Sequence, residues 1–248
     1  MLTINQIKSQ KPLILNFTNY VTMDFIANGL LSLGAIPLMC HAEQEIDDLV
    51  GIANAVVINL GTLNNDFIRL CELACLAANR WNKPIILDPV GAGASTYRTT
   101  TAIKFITDYQ IAILKGNASE IMSLVDSSIS SIGVESSKDS SEAIQSARHL
   151  STIMNSCVVI SGKTDVIIDG NQMENLHSGS PLMTTVTGTG CLLTAIIAAF
   201  HSVDKNRFDA ARSATLFYGS CGEIAAQNSS GSGDFKNTFL NLLGAPNA

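Results

Sequence analysis

Charge is scarce in this sequence. Only 15% of its 248 residues are Asp, Glu, Lys or Arg, against roughly 25% in ordinary globular chains. That shortage suggests a surface partly covered by an identical subunit. The net charge is −6 and no basic cluster stands out, which argues against nucleic acid and against an acidic membrane surface as partners. Long apolar runs are missing too. The most apolar helical stretch, residues 191–200, falls well short of the roughly 20 residues that cross a bilayer. Residues 1–15 carry Lys8 and Lys11 but no apolar core of signal-peptide length, so a soluble, cytoplasmic protein is expected. The six cysteines form no Cys/His cluster of zinc-ligand spacing, which points to a reduced compartment and no structural metal. Cys71 and Cys75, at i and i+4 of an apolar-periodic helix, read as core residues. No Gly-x-x-x-x-Gly-Lys-Ser/Thr run occurs, which excludes a P-loop enzyme. There is no internal repeat and no linker, so residues 1–248 read as one domain.

What is present is an alternation of short apolar runs with helix-period segments. Residues 12–18, 36–40, 55–60, 84–87 and 111–114 read as strands. Helical patterns over 23–33, 43–53, 66–81 and 99–108 separate them, the first closed by Gly34. A Ser-rich stretch over 127–141 reads as an exposed connection. Beyond it come a helix over 140–154 and strands over 157–161, 166–169 and 172–177, with a hairpin turn at Asp169-Gly170. Helices over 190–203, 208–227 and from Phe235 onward end the chain. This rhythm predicts an α/β fold with a mainly parallel central sheet and helices on both faces.

The strongest local signal is Thr187-Gly188-Thr189-Gly190-Cys191 running into an apolar helix. Two glycines let backbone approach a ligand, and the free N–H groups of the helix start suit phosphate charge. Cys191, on the first turn, would have its thiolate favoured by the helix dipole. A tight loop with a buried cysteine is the plainer alternative. Asp88 ends a buried strand ahead of Pro89-Val90-Gly91-Ala92-Gly93, at the sheet edge where open α/β sheets bind ligands. Glu120 follows another apolar strand, three residues after Asn117. A capping box accounts for that pair structurally. The functional alternative is that Asp88 and Glu120 gather Mg²⁺, which prefers hard oxygen ligands.

Six segments resemble, in order and spacing, the motifs of hydroxyethylthiazole kinases of the ribokinase-like superfamily. They are Thr18-Asn19-Tyr20-Val21-Thr22, Gly34-Ala35-Ile36-Pro37-Leu38-Met39, Asn59-Leu60-Gly61-Thr62-Leu63, Asp88-Pro89-Val90-Gly91-Ala92-Gly93, Gly116-Asn117-Ala118-Ser119-Glu120-Ile121, and Pro181-Leu182-Met183-Thr184 with Val186-Thr187-Gly188-Thr189-Gly190-Cys191. The resemblance runs from about residue 11 to the C-terminus and implies a ribokinase-like three-layer sandwich. It implies ATP-dependent phosphorylation of 4-methyl-5-(2-hydroxyethyl)thiazole in thiamine salvage, with Mg²⁺, in a homotrimer whose pockets lie at subunit boundaries. Asn19, Val21, Met39, Gly61 and Thr62 would line the thiazole pocket, with Gly188 against the alcohol. Met39 suits that place because a polarizable thioether packs well on a flat sulfur heterocycle. Asp88 and Glu120 would organise the metal, and Lys115, Asn117 and Ser161 would meet ATP. Gly188, Thr189 and Gly190 would form the anion hole, and Cys191, where the wider superfamily has Asp, would help deprotonate the alcohol.

Three positions depart from the family pattern. Lys115 stands where Arg is common, Ser161 where Thr is common, and Gly231-Ser232-Gly233-Asp234-Phe235 replaces Gly-Pro-Gly-Ser/Thr-Phe, a change expected to loosen that loop. Two rival readings remain. A kinase for another vitamin-precursor alcohol is disfavoured by Asn19 and Met39, and a catalytically silent nucleotide sensor by Asp88, Glu120 and Cys191.

Overall fold

The computed structural model describes residues 2–126 and 138–245. Its first half runs α1 (Leu2–Gln10), β1 (Leu13–Phe17), α2 (Met23–Leu33), β2 (Ile36–Met39), α3 (Ile46–Ile52), β3 (Ala55–Asn59), α4 (Asn65–Arg80), β4 (Ile85–Asp88) and α5 (Thr96–Asp108). The second half runs β5 (Ile113–Asn117), α6 (Ala118–Ser123), α7 (Ile144–Met154), β6 (Cys157–Ser161), β7 (Asp165–Asp169), β8 (Gln172–Leu176), α8 (Thr189–Val203), α9 (Arg207–Gln227) and α10 (Ser232–Gly244).

The strands form one eight-stranded sheet in the order β2-β1-β3-β4-β5-β6-β7-β8. Pairing is parallel from β2 through β6 and antiparallel for β7 and β8. β3 and β4 are buried at every position, as expected for strands covered on both faces. Pro37 lies in β2, an outer strand of the sheet, where a missing N–H is tolerated. The Asp169-Gly170 turn joins β7 to β8, with Gly170 at φ +57°.

Two apolar layers flank the sheet. One holds Ile7, Phe25, Leu30 and the buried faces of α8, α9 and α10. The other holds Ile46, Phe67, Cys71, Cys75, Phe105, Ile121 and Leu150 from α3 to α7. The expected three-layer α/β sandwich is therefore present, and Cys71 and Cys75 are core residues. α8 is buried at every position over 192–202, because it lies between the sheet and neighbouring helices.

Some elements differ from the sequence expectation. Over the residues of α1 whose burial is described, only Ile7 is fully buried, an apolar pattern too thin to announce a helix. The helix expected over 43–53 begins as a 3₁₀ turn, Glu43–Glu45, before α3. The one expected over 140–154 likewise begins with 3₁₀ geometry over Ser140–Ala143. Most of the Ser-rich connection lies outside the described residues.

Candidate active site

The carboxyl ends of the parallel strands open on one edge, and the strand order reverses between β1 and β3. Such a crevice is the place where open α/β sheets take ligands. Asn19 follows β1, Gly61 and Thr62 follow β3, Asp88 ends β4, Asn117 ends β5 and Ser161 ends β6. Most of the expected site residues thus lie in a row along this edge. Val21 is 70% exposed and borders an open cavity of about 340 Å³ with Phe25, Val186, Thr187 and Lys236. Met39, on outer strand β2, is half-buried and packs against the core; it does not line that cavity.

α8 begins at this edge. Its N-cap is Gly188, at φ +95°, and no side chain caps it. A Cβ at Gly188 would lie 2.8 Å from Thr22 Cγ2, so both conformation and space require glycine there. An uncapped helix start leaves N–H donors open to an anion. Tyr218 Oη donates to the Thr189 carbonyl (2.7 Å), and Thr189 Oγ1 donates to the Met183 carbonyl (2.8 Å), which pins the loop from both sides.

A buried network joins this helix start to the sheet. Asp88 Oδ2 accepts from Thr194 Oγ1 (2.6 Å), Asn59 Nδ2 (3.4 Å) and Lys115 Nζ (3.5 Å). Lys115 Nζ also donates to the Gly190 carbonyl (3.2 Å). Asn19 Nδ2 reaches Asn59 Oδ1 (2.9 Å) and Cys191 Sγ (3.5 Å), and Gly61 N donates to Asn59 Oδ1 (3.0 Å). Asn19, Gly61, Asp88, Lys115, Gly190 and Cys191 therefore converge. Asn117 and Ser161 form a separate neighbouring pair across β5 and β6, with Ser161 Oγ donating to the Gly116 carbonyl (3.4 Å).

Glu120 makes the capping box that the sequence allowed. Asn117 N donates to its Oε2 (2.8 Å), and its own N–H donates to Asn117 Oδ1 (2.9 Å). Its other oxygen, Oε1, accepts from Gly91 N (2.8 Å), a bond that no capping box contains. This carboxylate ties the loop after β4 to the end of β5. Arg98 performs a comparable service on the other side, donating to the carbonyls of Leu60 (3.0 Å), Val90 (2.9 Å) and Gly61 (2.9 Å). One guanidinium fork thus holds the loops after β3 and β4 together.

The electrostatics follow from two buried carboxylates sharing one buried ammonium. Burial pushes the Asp88 carboxyl up, against the opposing pull of Lys115 and Thr194. Burial and then the Asp88 charge push Glu120 up to about 7. Burial alone would lower Lys115, but the charges of Asp88, Glu120 and Cys191 outweigh it and raise it. The Cys191 thiol is pushed up, first by burial and then by Asp88, although Lys115, Asn59 and Asn19 act the other way. The expectation that the helix start favours its thiolate is thus opposed by the low-dielectric surroundings.

Asn59, Thr194 and Arg98 were not singled out from the sequence. Asn59 had a signal, since it is a polar residue at the end of a buried strand, level with Asp88 in the ladder. Thr194 had a fainter one, a hydroxyl set inside the apolar run of α8, three residues after Cys191. Arg98 sits in the first turn of α5, and nothing in the helical pattern sets it apart. The departing segment Gly231-Ser232-Gly233-Asp234-Phe235 is the N-cap and first turn of α10, so the last helix starts at Ser232 rather than at Phe235. There Asp234 Oδ2 accepts from Ser230 N (3.0 Å) and Ser230 Oγ (3.2 Å), a restraint of a different kind from the proline expected there.

The chain matches the model of the Hydroxyethylthiazole kinase family over residues 4–245. It is 41% identical over 240 residues to the hydroxyethylthiazole kinase of Desulfotalea psychrophila, covering 97% of this chain and 88% of that one. A solved hydroxyethylthiazole kinase structure from Pyrococcus horikoshii superposes with a TM-score of 0.90 at 34% identity, covering 98% of this chain and 91% of the other. A ribokinase-like superfamily protein from Enterococcus faecalis superposes with a TM-score of 0.66 at 14% identity, covering 95% and 88% of the two chains, which speaks to the fold alone. With the sheet edge, the uncapped α8 and these matches together, the chain belongs to the hydroxyethylthiazole kinase family and has the ribokinase-like fold.

Proposed function

We propose that this chain transfers the γ-phosphoryl group of ATP to the primary alcohol of 4-methyl-5-(2-hydroxyethyl)thiazole, salvaging the thiazole half of thiamine in the cytoplasm. The observation that carries the reading is the uncapped, glycine-led start of α8, tied to Asp88 by a hydrogen bond from Thr194 and to Asn19 through Cys191. Phosphoryl transfer asks a protein mainly for positioning and for stabilisation of charge. In this reading the thiazole occupies the crevice between β1 and β3, against Asn19, Val21, Met39, Gly61 and Thr62, with its alcohol at Gly188. Thr62 Oγ1 is buried and has no hydrogen-bond partner among the described residues, so it has capacity for a ligand bond. ATP lies along the ends of β5 and β6, near Asn117 and Ser161, with Lys115 at the phosphate end. The amides of Gly188, Thr189 and Gly190 take the transferring oxygens, and Cys191 accepts the alcohol proton.

The residues present suit Mg²⁺. Two buried carboxylates outnumber the one ammonium between them, and Asp88 Oδ1 accepts no hydrogen bond among the described residues. No group of three or more His, Cys, Asp or Glu is gathered among the described residues. Asp88 and Glu120 would therefore hold the ion together with phosphate oxygens and water, as Mg²⁺ commonly requires. When bound, the ion offsets phosphate charge.

The whole chain acts as one kinase domain in this reading and assembles as a homotrimer with active sites at subunit boundaries. Tyr20 and Val21, 61% and 70% exposed beside Asn19, are the apolar surface such a neighbour would cover. Light scattering at micromolar concentration should give three subunits; a monomer would contradict the shared pocket. No described helix is long and apolar enough to cross a membrane.

The activity is tested by ADP release with a panel of alcohols. The thiazole alcohol should exceed pyridoxal and the pyrimidine alcohol in kcat/KM by roughly 10²-fold. Preference for either of the others would make the chain a different vitamin-precursor kinase. Tight ATP binding without turnover of any would make it a silent nucleotide sensor.

A further inference from the structure

Thr194 sits wholly buried in α8, three residues after Cys191 and therefore on the same helix face. Its hydroxyl makes the shortest bond that Asp88 receives, 2.6 Å to Oδ2, and it also lies 3.3 Å from the Gly190 carbonyl in its own helix. The other two donors to Asp88, Asn59 and Lys115, stand at 3.4 and 3.5 Å from that same oxygen. All three hydrogen bonds thus load one oxygen of the carboxylate. Oδ1 is left without a hydrogen bond among the described residues.

We propose that Thr194 is a positioning residue for phosphoryl transfer, holding Asp88 Oδ2 so that Oδ1 is the oxygen turned to the divalent cation. This inference rests on the reading of Asp88 as a metal carboxylate. A carboxylate on a short strand and a base on a helix belong to different layers of the fold. The Thr194–Asp88 bond crosses between those layers one turn from Cys191 and fixes the carboxylate relative to the anion-binding loop. A valine there would have nearly the same shape but could not donate. Asp88 would then keep only its two long contacts and rotate among orientations that share Oδ2 and Oδ1.

The test compares the parent with Thr194→Val and Thr194→Ser. Mn²⁺ serves as a paramagnetic probe of the divalent site, its free concentration followed by electron paramagnetic resonance in the presence of a non-hydrolysable ATP analogue. Alcohol-dependent turnover and melting temperature are measured on the same samples. Thr194→Val should bind Mn²⁺ roughly tenfold or more weakly, the scale of a hydrogen bond to a charged group. Its kcat should fall comparably, with the alcohol KM unchanged within about twofold, and Thr194→Ser should return both values to near the parent. A folded Thr194→Val with parental Mn²⁺ affinity, whatever its melting temperature, overturns the proposal and leaves Thr194 a packing residue. So does a loss that Thr194→Ser fails to restore. Should Thr194→Val not fold, Thr194→Ala provides the same loss of hydroxyl against Thr194→Ser. A parent that binds Mn²⁺ with the analogue but phosphorylates no thiazole alcohol defeats the substrate reading instead, and the Mn²⁺ comparison still decides the role of Thr194.

Discussion

Asn19 Nδ2 lies 3.5 Å from Cys191 Sγ, so the loop after β1 and the first turn of α8 meet at the sulfur proposed to take the alcohol proton. The contact orients the thiol toward the crevice between β1 and β3. It does not make the thiol acidic, because burial and Asp88 push it the other way.

Replacing Cys191 separates a base from a packing residue. Cys191→Ala should keep thiazole binding and lose roughly 10²-fold or more in kcat, the scale of general-base catalysis. Cys191→Asp should keep substantial activity, since a carboxylate accepts the proton without an ionised thiol. The pH profiles should differ as well. The raised thiol makes the parent's kcat climb with rising pH, and the Asp variant should be flat over the same alkaline range. An Ala variant as active as the parent would remove Cys191 from the chemistry, and a folded but inactive Asp variant would overturn the site as built here.

Glu120 has two structural bonds and a proposed metal role, and Glu120→Gln separates them. The amide has one acceptor oxygen, so either the Gly91 or the Asn117 bond is lost, at about 1–2 kcal/mol of stability. If the metal reading holds, activity falls much further than that, and the Mg²⁺ concentration for half-maximal rate rises. A lowered melting temperature with unchanged Mg²⁺ dependence would leave Glu120 as a strut between loops. Asp88→Asn should behave in the same direction with a larger loss of turnover.

These cases show how much was readable beforehand. The strand and helix alternation, the closure of α2 at Gly34 and the hairpin at Asp169-Gly170 follow from local periodicity and turn chemistry, and the structure bears them out. The convergence of Asp88 with the loop before Cys191 was legible only through motif order, because 102 positions (190 − 88) separate Asp88 from Gly190. Arg98 and Thr194 were not legible, since what matters is which carbonyl or carboxylate each one meets across the sheet. The rise of the Cys191 pKa was likewise hidden: a helix start can be seen in sequence, but its degree of burial cannot.

Asp165, which feels the charge of Lys115 but is assigned no part in the chemistry, supplies a further pH test. Burial pushes its carboxyl from 3.8 up to about 6, against a hydrogen bond from Gly162 N. The folded chain therefore holds this proton more tightly than the unfolded chain. The two states match below pH 4, and folding stability from this group is lost as pH rises toward 6. At ~1.4 kcal/mol per unit the loss is about 3 kcal/mol at most. Denaturant midpoints between pH 4 and 7 should show this decline in the parent, and Asp165→Asn should lack that part of it. An identical pH slope in both proteins would contradict the assignment.

The most direct measurement is stoichiometric. With ATP, Mg²⁺ and 4-methyl-5-(2-hydroxyethyl)thiazole, ADP is followed by a coupled assay and the phosphate ester by phosphorus NMR. The account predicts one alcohol phosphate per ADP, and neither product when the alcohol or the divalent cation is left out. ADP formed at the same rate without the alcohol, or no ester from a folded protein that binds ATP, would contradict it.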